Sequence, residues 1–208
     1  MKKDLFGIIE LCEHDAGRSI RRNAGEAAPS LRWLARRLLA REARALAALE
    51  GQRGFPHLIS VSKTVLEREH LAGVPMQVGK PRDPAYFLAA AKLIRRMHRL
   101  GVVHNDLAKE PNFLVTPEGR PAVIDFQLAW HAPQRGRMFR VLAREDLRHL
   151  LKHKRSYCPG ALTARERRIL DTPSVPARIW MRTGKPLYLF VTRRVLGWRD
   201  REGAGDRY

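Results

Sequence analysis

"HNDLAKEPNFLVTPEGRPAVIDFQ", residues 104–127, decides how the rest of the chain is read. Its "NFLV" is an apolar strand pattern, "TPEG" carries the Pro117 and Gly119 of a turn, and "PAVIDF" is a second apolar strand. A hairpin sets the start of the first strand against the end of the second. Asn112 and Asp125, 13 residues apart, then meet at one end, and Asp106 precedes them in the loop. Three oxygen-bearing side chains converge there. Magnesium prefers oxygen ligands and usually keeps waters and substrate phosphates in its shell. The pattern suits phosphoryl transfer: Asp125 and Asn112 hold the ion, and Asp106 orients a hydroxyl and takes its proton.

Upstream of this stretch, Asp83 caps a helix whose first turn holds Pro84 and which Gly101 stops. Its stripe, Phe87, Ala90, Leu93, Ile94, Met97 and Leu100, is ordinary core. The Gly- and Pro-rich "AGVPMQVGKPRDP" before it marks a boundary between lobes. "HLISV" and "TVLEREHLAG" are two strands joined by Ser62 and Lys63. An earlier helix, over 30–50, opens at Pro29 and Ser30 and closes at Gly51, with a seam of Leu31, Leu34, Leu38, Ala45, Leu46 and Leu49. Glu42 lies on that seam. Either it is solvated at the edge beside Arg41 and Arg44, or a basic residue reaches it from the preceding strands, because unpaired burial is costly. Those strands are "LFGIIELCE" and "RSIRR", joined by the turn "HDAG".

Downstream, a helix begins near Leu142 and turns Leu142, Leu147, Leu150 and Leu151 to the core. Arg148, Lys152, Lys154 and Arg155, with His149 and His153, form a basic face. It is either solvated surface or the acceptor site for an anionic substrate. The histidines lack companions at a zinc-binding spacing. "LTARERRIL" is a short helix capped by Thr163, with Glu166 in the box position. The tail sets Trp180, Tyr188, Phe190 and Trp198 among cations, a pattern shared by tail packing, a membrane-surface patch and a nucleic-acid platform. The final "REGAGDRY" is expected to fray.

Composition narrows the partners. The 208 residues carry 40 Lys and Arg against 21 Asp and Glu, a net charge of +19, which favours phosphate-bearing or anionic partners. Cys12 and Cys158 are the only cysteines, which argues against a disulfide framework and for a reducing compartment. Asp4 and Glu10 interrupt the N-terminal segment before any run suited to a signal peptide or membrane span.

"HNDLAKEPN" followed by "VIDFQ" resembles the catalytic loop and Asp-Phe-Gly motif of the protein-kinase-like superfamily, especially the small RIO-like kinases and the lipopolysaccharide core (Kdo/heptose) kinases. The resemblance implies an α+β, bilobal fold with a reduced, β-rich N-lobe (1–72), a hinge and linker (73–83) and a mostly helical C-lobe (84–208). It implies ATP and Mg2+ as cofactors, Asp106 as the catalytic residue, and Asn112 and Asp125 as the metal ligands. Glu42 looks like the helix-C glutamate, with Arg21, or alternatively Arg22, in place of the usual lysine to position the ATP phosphates. His104 and Asp146 resemble the residues that support the catalytic loop.

The chain departs from the family pattern at several points. Asp106 and Asn112 are six residues apart instead of five, with Lys109 in the longer loop, and Gln127 replaces a glycine. Gly7 alone stands for a Gly-rich loop, and Asn105 takes the place of an arginine that would read a phosphorylated segment. No Ala-Pro-Glu closes the segment after Asp125. The expected activity is phosphate transfer to a hydroxyl, of a lipopolysaccharide-core sugar or of protein Ser/Thr. The alternative is a catalytically weak nucleotide-binding or interaction module. Nucleic acid is supported only by charge. The implied location is cytoplasmic, extending to peripheral association with the inner face of the membrane.

Overall fold

The computed structural model describes residues 2–4, 6–14 and 17–172. The chain begins with β1 (Lys2–Asp4), β2 (Gly7–His14) and β3 (Gly17–Asn23). β1 and β2 close at the Asp4↔Gly7 pair. Gly7 has φ +128°, and a Cβ there would lie 2.1 Å from the Asn23 carbonyl oxygen, so only glycine fits. A tight hairpin connection therefore stands where a glycine-rich loop is absent.

α1 (Arg32–Ala48) follows a 3-10 turn at Pro29–Leu31 and is shorter than the expected 30–50. Its buried face runs through Ala35, Leu39, Glu42 and Leu46, whereas Leu34 and Leu38 are only half-buried. Ala45, Leu46 and Leu49 are buried as expected, and only the front of the seam shifts by one position, to Ala35 and Leu39: 35, 39, 42 and 46 follow the i, i+4, i+7, i+11 spacing of one face. β4 (Leu58–Val61) and β5 (Val65–Glu69) complete an antiparallel sheet of order β1-β2-β3-β5-β4. Ala24, Ala27, Ala35, Leu39, Ala43 and Leu66 form a small core between this sheet and α1.

The expected linker is more structured than its composition suggests. β6 (Val74–Pro75) pairs with β8 (Phe113–Val115), and α2 (Met76–Gly79) buries Met76 completely. α3 (Pro84–Arg99) starts as expected, with the Asp83 carboxylate accepting from Ala85 N at 2.8 Å. Its stripe is buried except Leu100, which caps the helix and is 36% exposed. β7 (Val102–Val103) follows, then the hairpin of β8 and β9 (Pro121–Val123). β10 (Trp130–His131) pairs back onto β7. α4 (Arg137–Tyr157) begins at Arg137 instead of near Leu142 because Phe139 adds a buried anchor at its front. α5 (Ala164–Asp171) has the expected capping box between Thr163 and Glu166.

The large core joins the C-terminal end of α1 (Ala45, Leu46, Leu49) to the α3 stripe, Phe113, Val123, Phe126 and Leu150. The chain is thus mixed α+β with small antiparallel sheets. No helix among the described residues is long and apolar enough to cross a membrane. Trp180, Tyr188, Phe190, Trp198 and the final segment lie outside the described residues.

Candidate active site

The hairpin register pairs Phe113 with Val123, and Ile124 N donates to the Asn112 carbonyl at 3.0 Å. Asn112 and Asp125 are therefore held at the same end, as the turn chemistry required. Asp125 then takes a left-handed conformation (φ 66°, ψ 71°). Asn105 does the same (φ 65°), so two of the four non-glycine residues with positive φ among the described residues flank this one site. Such backbone strain persists where surrounding contacts over-determine it. Here the Asn105 amide nitrogen donates to Leu128 O at 3.0 Å, and Phe126 is fully buried against Phe55 and His104.

Asp106 lies in the loop between β7 and the hairpin. Asn112 Nδ2 donates to its carbonyl at 2.9 Å and to its carboxylate at 3.1 Å. Lys109 Nζ stands 3.2 Å from the same carboxylate, which gives the extra loop residue a place. Burial pushes the Asp106 carboxyl above its ordinary value, and Lys109 and the Asn112 bond only partly offset it. A raised pKa makes a stronger base. Asp125 goes the other way. Burial would raise it, but Arg22, the Gln127 amide, His104 and Arg68 together hold it below the usual value. The two aspartates are thus pushed apart, one toward accepting a proton and one toward staying ionised.

Glu42 is fully buried, so the solvated alternative falls. Arg22 Nε lies 3.6 Å from its Oε2 and Arg68 Nε 3.2 Å from its Oε1. Neither carboxylate oxygen makes an aligned hydrogen bond, so these are ion pairs of charge more than of direction. A buried ion costs several kcal/mol, and one contact near this distance returns about 4 kcal/mol at an effective dielectric of ~20. The second arginine adds another contact of that size, though both guanidinium groups are themselves buried. Arg22 also reaches Asp125, with Nη2 3.8 Å from Oδ1.

The expectation that Arg21 would come first is corrected. Strand alternation turns Arg21 to the opposite face of the sheet, where it pairs with Glu67 at 3.4 Å, and gives Arg22 to α1. Arg68 was missed. It lies on the same face as Arg22, two positions from Leu66, which pairs with Arg22 across β3 and β5. Pairing the two strands on paper would have found it.

Asp146 supports the loop from below. Its Oδ2 accepts from His104 N at 2.9 Å and its Oδ1 from Asn105 N at 3.0 Å. His98, unremarked in the sequence, adds a third contact at 3.0 Å. His104 is completely buried, with Nε2 on the Ile124 carbonyl at 2.9 Å, which ties the loop to the hairpin.

The basic face expected on α4 does not exist as a free surface. Lys154 is buried, with Nζ 2.8 Å from both carboxylate oxygens of Glu166 on α5. Arg148 contacts Glu145 and the Leu170 carbonyl, each at 3.4 Å. Lys152 is half-buried, leaving Arg155 as the exposed member of the four. Burial also lowers both histidines, His149 to about 4, and His153 bonds the Leu107 carbonyl at 2.8 Å. These side chains brace the loop and α5.

Among the described residues, no cluster of three or more His, Cys, Asp or Glu side chains could hold a metal by itself. The donor set suits magnesium nonetheless: the ionised Asp125 carboxylate and the Asn112 amide oxygen, the nitrogen of Asn112 being used on Asp106. That leaves the remaining ligands to phosphate and water. The chain matches no protein-family model and no curated protein.

Proposed function

We propose that this chain is an ATP- and magnesium-dependent phosphotransferase with a kinase-like bilobal fold that acts on a hydroxyl. One observation carries the proposal: the Arg22 guanidinium stands between Glu42 and Asp125, 3.6 and 3.8 Å away. An arginine from the sheet is thereby aimed at the hairpin end that gathers Asp106, Asn112 and Asp125. A magnesium ion, when bound, would neutralise phosphate charge. Asp125 and Asn112 would hold it. Arg22 would engage the nucleotide phosphates, with Glu42 fixing its direction, and Arg68 would balance Glu42. Asp106 would orient the acceptor hydroxyl and accept its proton, a role that its raised pKa suits.

The acceptor is proposed to be a lipopolysaccharide-core-type sugar, with a protein Ser/Thr as the competitor. With Lys154 and Arg148 paired to Glu166 and Glu145, this preference rests on the short segment after Asp125 and its missing Ala-Pro-Glu closure. ATP as donor implies the cytoplasm, and such an acceptor implies the inner face of the membrane. One observation favours a nucleotide-binding module instead: Lys109 sits on the Asp106 carboxylate at 3.2 Å, where it would restrain a base.

Calorimetry with ATP and magnesium, paired with labelled-phosphate transfer to lipopolysaccharide core or to a protein extract, tests both. Asp125→Ala should abolish magnesium-dependent ATP binding. Asp106→Asn should keep binding and lower transfer by roughly 10²-fold or more. Unchanged affinity in D125A would remove the metal site, and wild-type binding without transfer would select the module.

A further inference from the structure

Beside the site just described, α1 and the segment after Asp125 enclose a cleft of about 550 Å³, lined by Arg37, Arg41, Arg44, Ala129, Trp130 and His131. That is within the roughly 300–1,000 Å³ typical of small-ligand pockets. The three arginines follow i, i+4, i+7 spacing on α1 and so share one face. Arg44 Nε donates only to the Ala40 carbonyl of its own helix, and Arg41 Nε donates to the Ala129 carbonyl at 3.2 Å. Among the described residues none of the three has a carboxylate partner. Like charges at these spacings cost a helix about 0.2–0.5 kcal/mol per pair, and among the described residues the return is hydrogen bonds to carbonyls, with no opposite charge.

We propose that this cleft binds a small phosphorylated molecule, either a sugar phosphate or a free phosphate species. Guanidinium forks match phosphate oxygens in pairs, and Arg37 and Arg44 lie about 10 Å apart along the axis, which leaves room for an anion between them. The half-exposed Trp130 ring at the wall offers a flat apolar surface to a sugar. The cleft is half open between a helix and a strand, and its volume suits a compact ligand. The cleft is also wired to the loop: Leu128 O accepts from both Arg41 Nη2 at 3.5 Å and Asn105 Nδ2 at 3.0 Å. An anion that draws Arg41 away would release one of two donors holding the turn after Asp125. None of this depends on the phosphotransferase reading.

Calorimetric titrations with pyrophosphate and with glucose 6-phosphate, without magnesium or nucleotide, test it on the full chain. Arg37 and Arg44 are exposed, so R37Q/R44Q should fold as wild type, which circular dichroism checks. The double variant should bind at least tenfold more weakly, and in the wild type the arginine Nε–H resonances of Arg37, Arg41 and Arg44 should shift during titration. Preference between the probes separates a sugar phosphate from a free phosphate species. Equal affinity in R37Q/R44Q, no binding of either probe, or binding confined to anionic vesicles or RNA would overturn the proposal.

Discussion

Asp146 and Glu42 are both buried carboxylates, 1% and 0% exposed, yet they are held in different ways. Asp146 receives two backbone N–H groups and His98, all within 3.0 Å. Glu42 faces two guanidinium groups and has no aligned hydrogen bond. The first is fixed by direction, the second by charge. Directional bonds set a backbone conformation and suit the floor under a strained loop. A charge balance shared among Glu42, Arg22, Arg68 and Asp125 can be redistributed when another anion arrives.

The sharpest way to break this comparison is Asp146→Ala. It leaves one buried and one half-buried N–H group and His98 unpaired, and should cost about 3–5 kcal/mol in urea unfolding. A cost below about 1 kcal/mol would mean that the loop holds itself. The next largest effect tests a half-buried histidine whose neighbouring carboxylates, Glu145 and Asp146, do not make up for the water it has lost. Burial lowers His149 from 6.5 to about 4, and its Nδ1 has no partner. The fold favours neutral imidazole, so this contribution is complete above pH 6.5 and is lost as pH falls toward 4. It is worth up to about 3 kcal/mol. His149→Leu should flatten the dependence of the urea midpoint on pH in that window.

Glu42→Gln sharpens the comparison from the other side. Its arginines keep other contacts, Arg22 with Asp125 and Arg68 with the Glu69 carbonyl, so thermal unfolding should show a smaller loss of about 2 kcal/mol. A cost equal to that of D146A would erase the distinction. The smallest effects are in the last turn of α4: Lys154→Ala should cost about 1 kcal/mol through loss of Glu166, and Arg155→Ala should fall within about 0.5 kcal/mol. Differential scanning calorimetry separates the two.

These residues also show what the sequence could reveal. The hairpin and its three oxygen-bearing residues were legible because strand alternation and turn chemistry are local. Asp146 was legible through its resemblance to a supporting aspartate. The choice between Arg21 and Arg22 was not, because alternation assigns them to opposite faces without saying which face α1 covers. Arg68 needed one step more: β5 had to be paired with β3 before it could be seen to share the face of Arg22, the face that Glu42 on α1 meets. The α4 face was misjudged because a string of cations shows charge but not that Glu166, twelve residues beyond Lys154, folds back onto it.

The two ends of α1 are seated unequally. Ala45, Leu46 and Leu49 are locked into the large core, while Ala35 and Leu39 rest on the small one beneath the sheet. A tilt of the helix, were one to occur, would pivot near Leu46, which is fully buried in the large core. At 1.5 Å per residue, Glu42 sits about 6 Å from that pivot and Arg37 about 13 Å. Any tilt sweeps Arg37 roughly twice as far as Glu42, so displacement at the outer cleft reaches the carboxylate geared down. Amide exchange should accordingly slow along the helix from Arg32 toward Ala48, and a uniform rate would show that it moves as a unit.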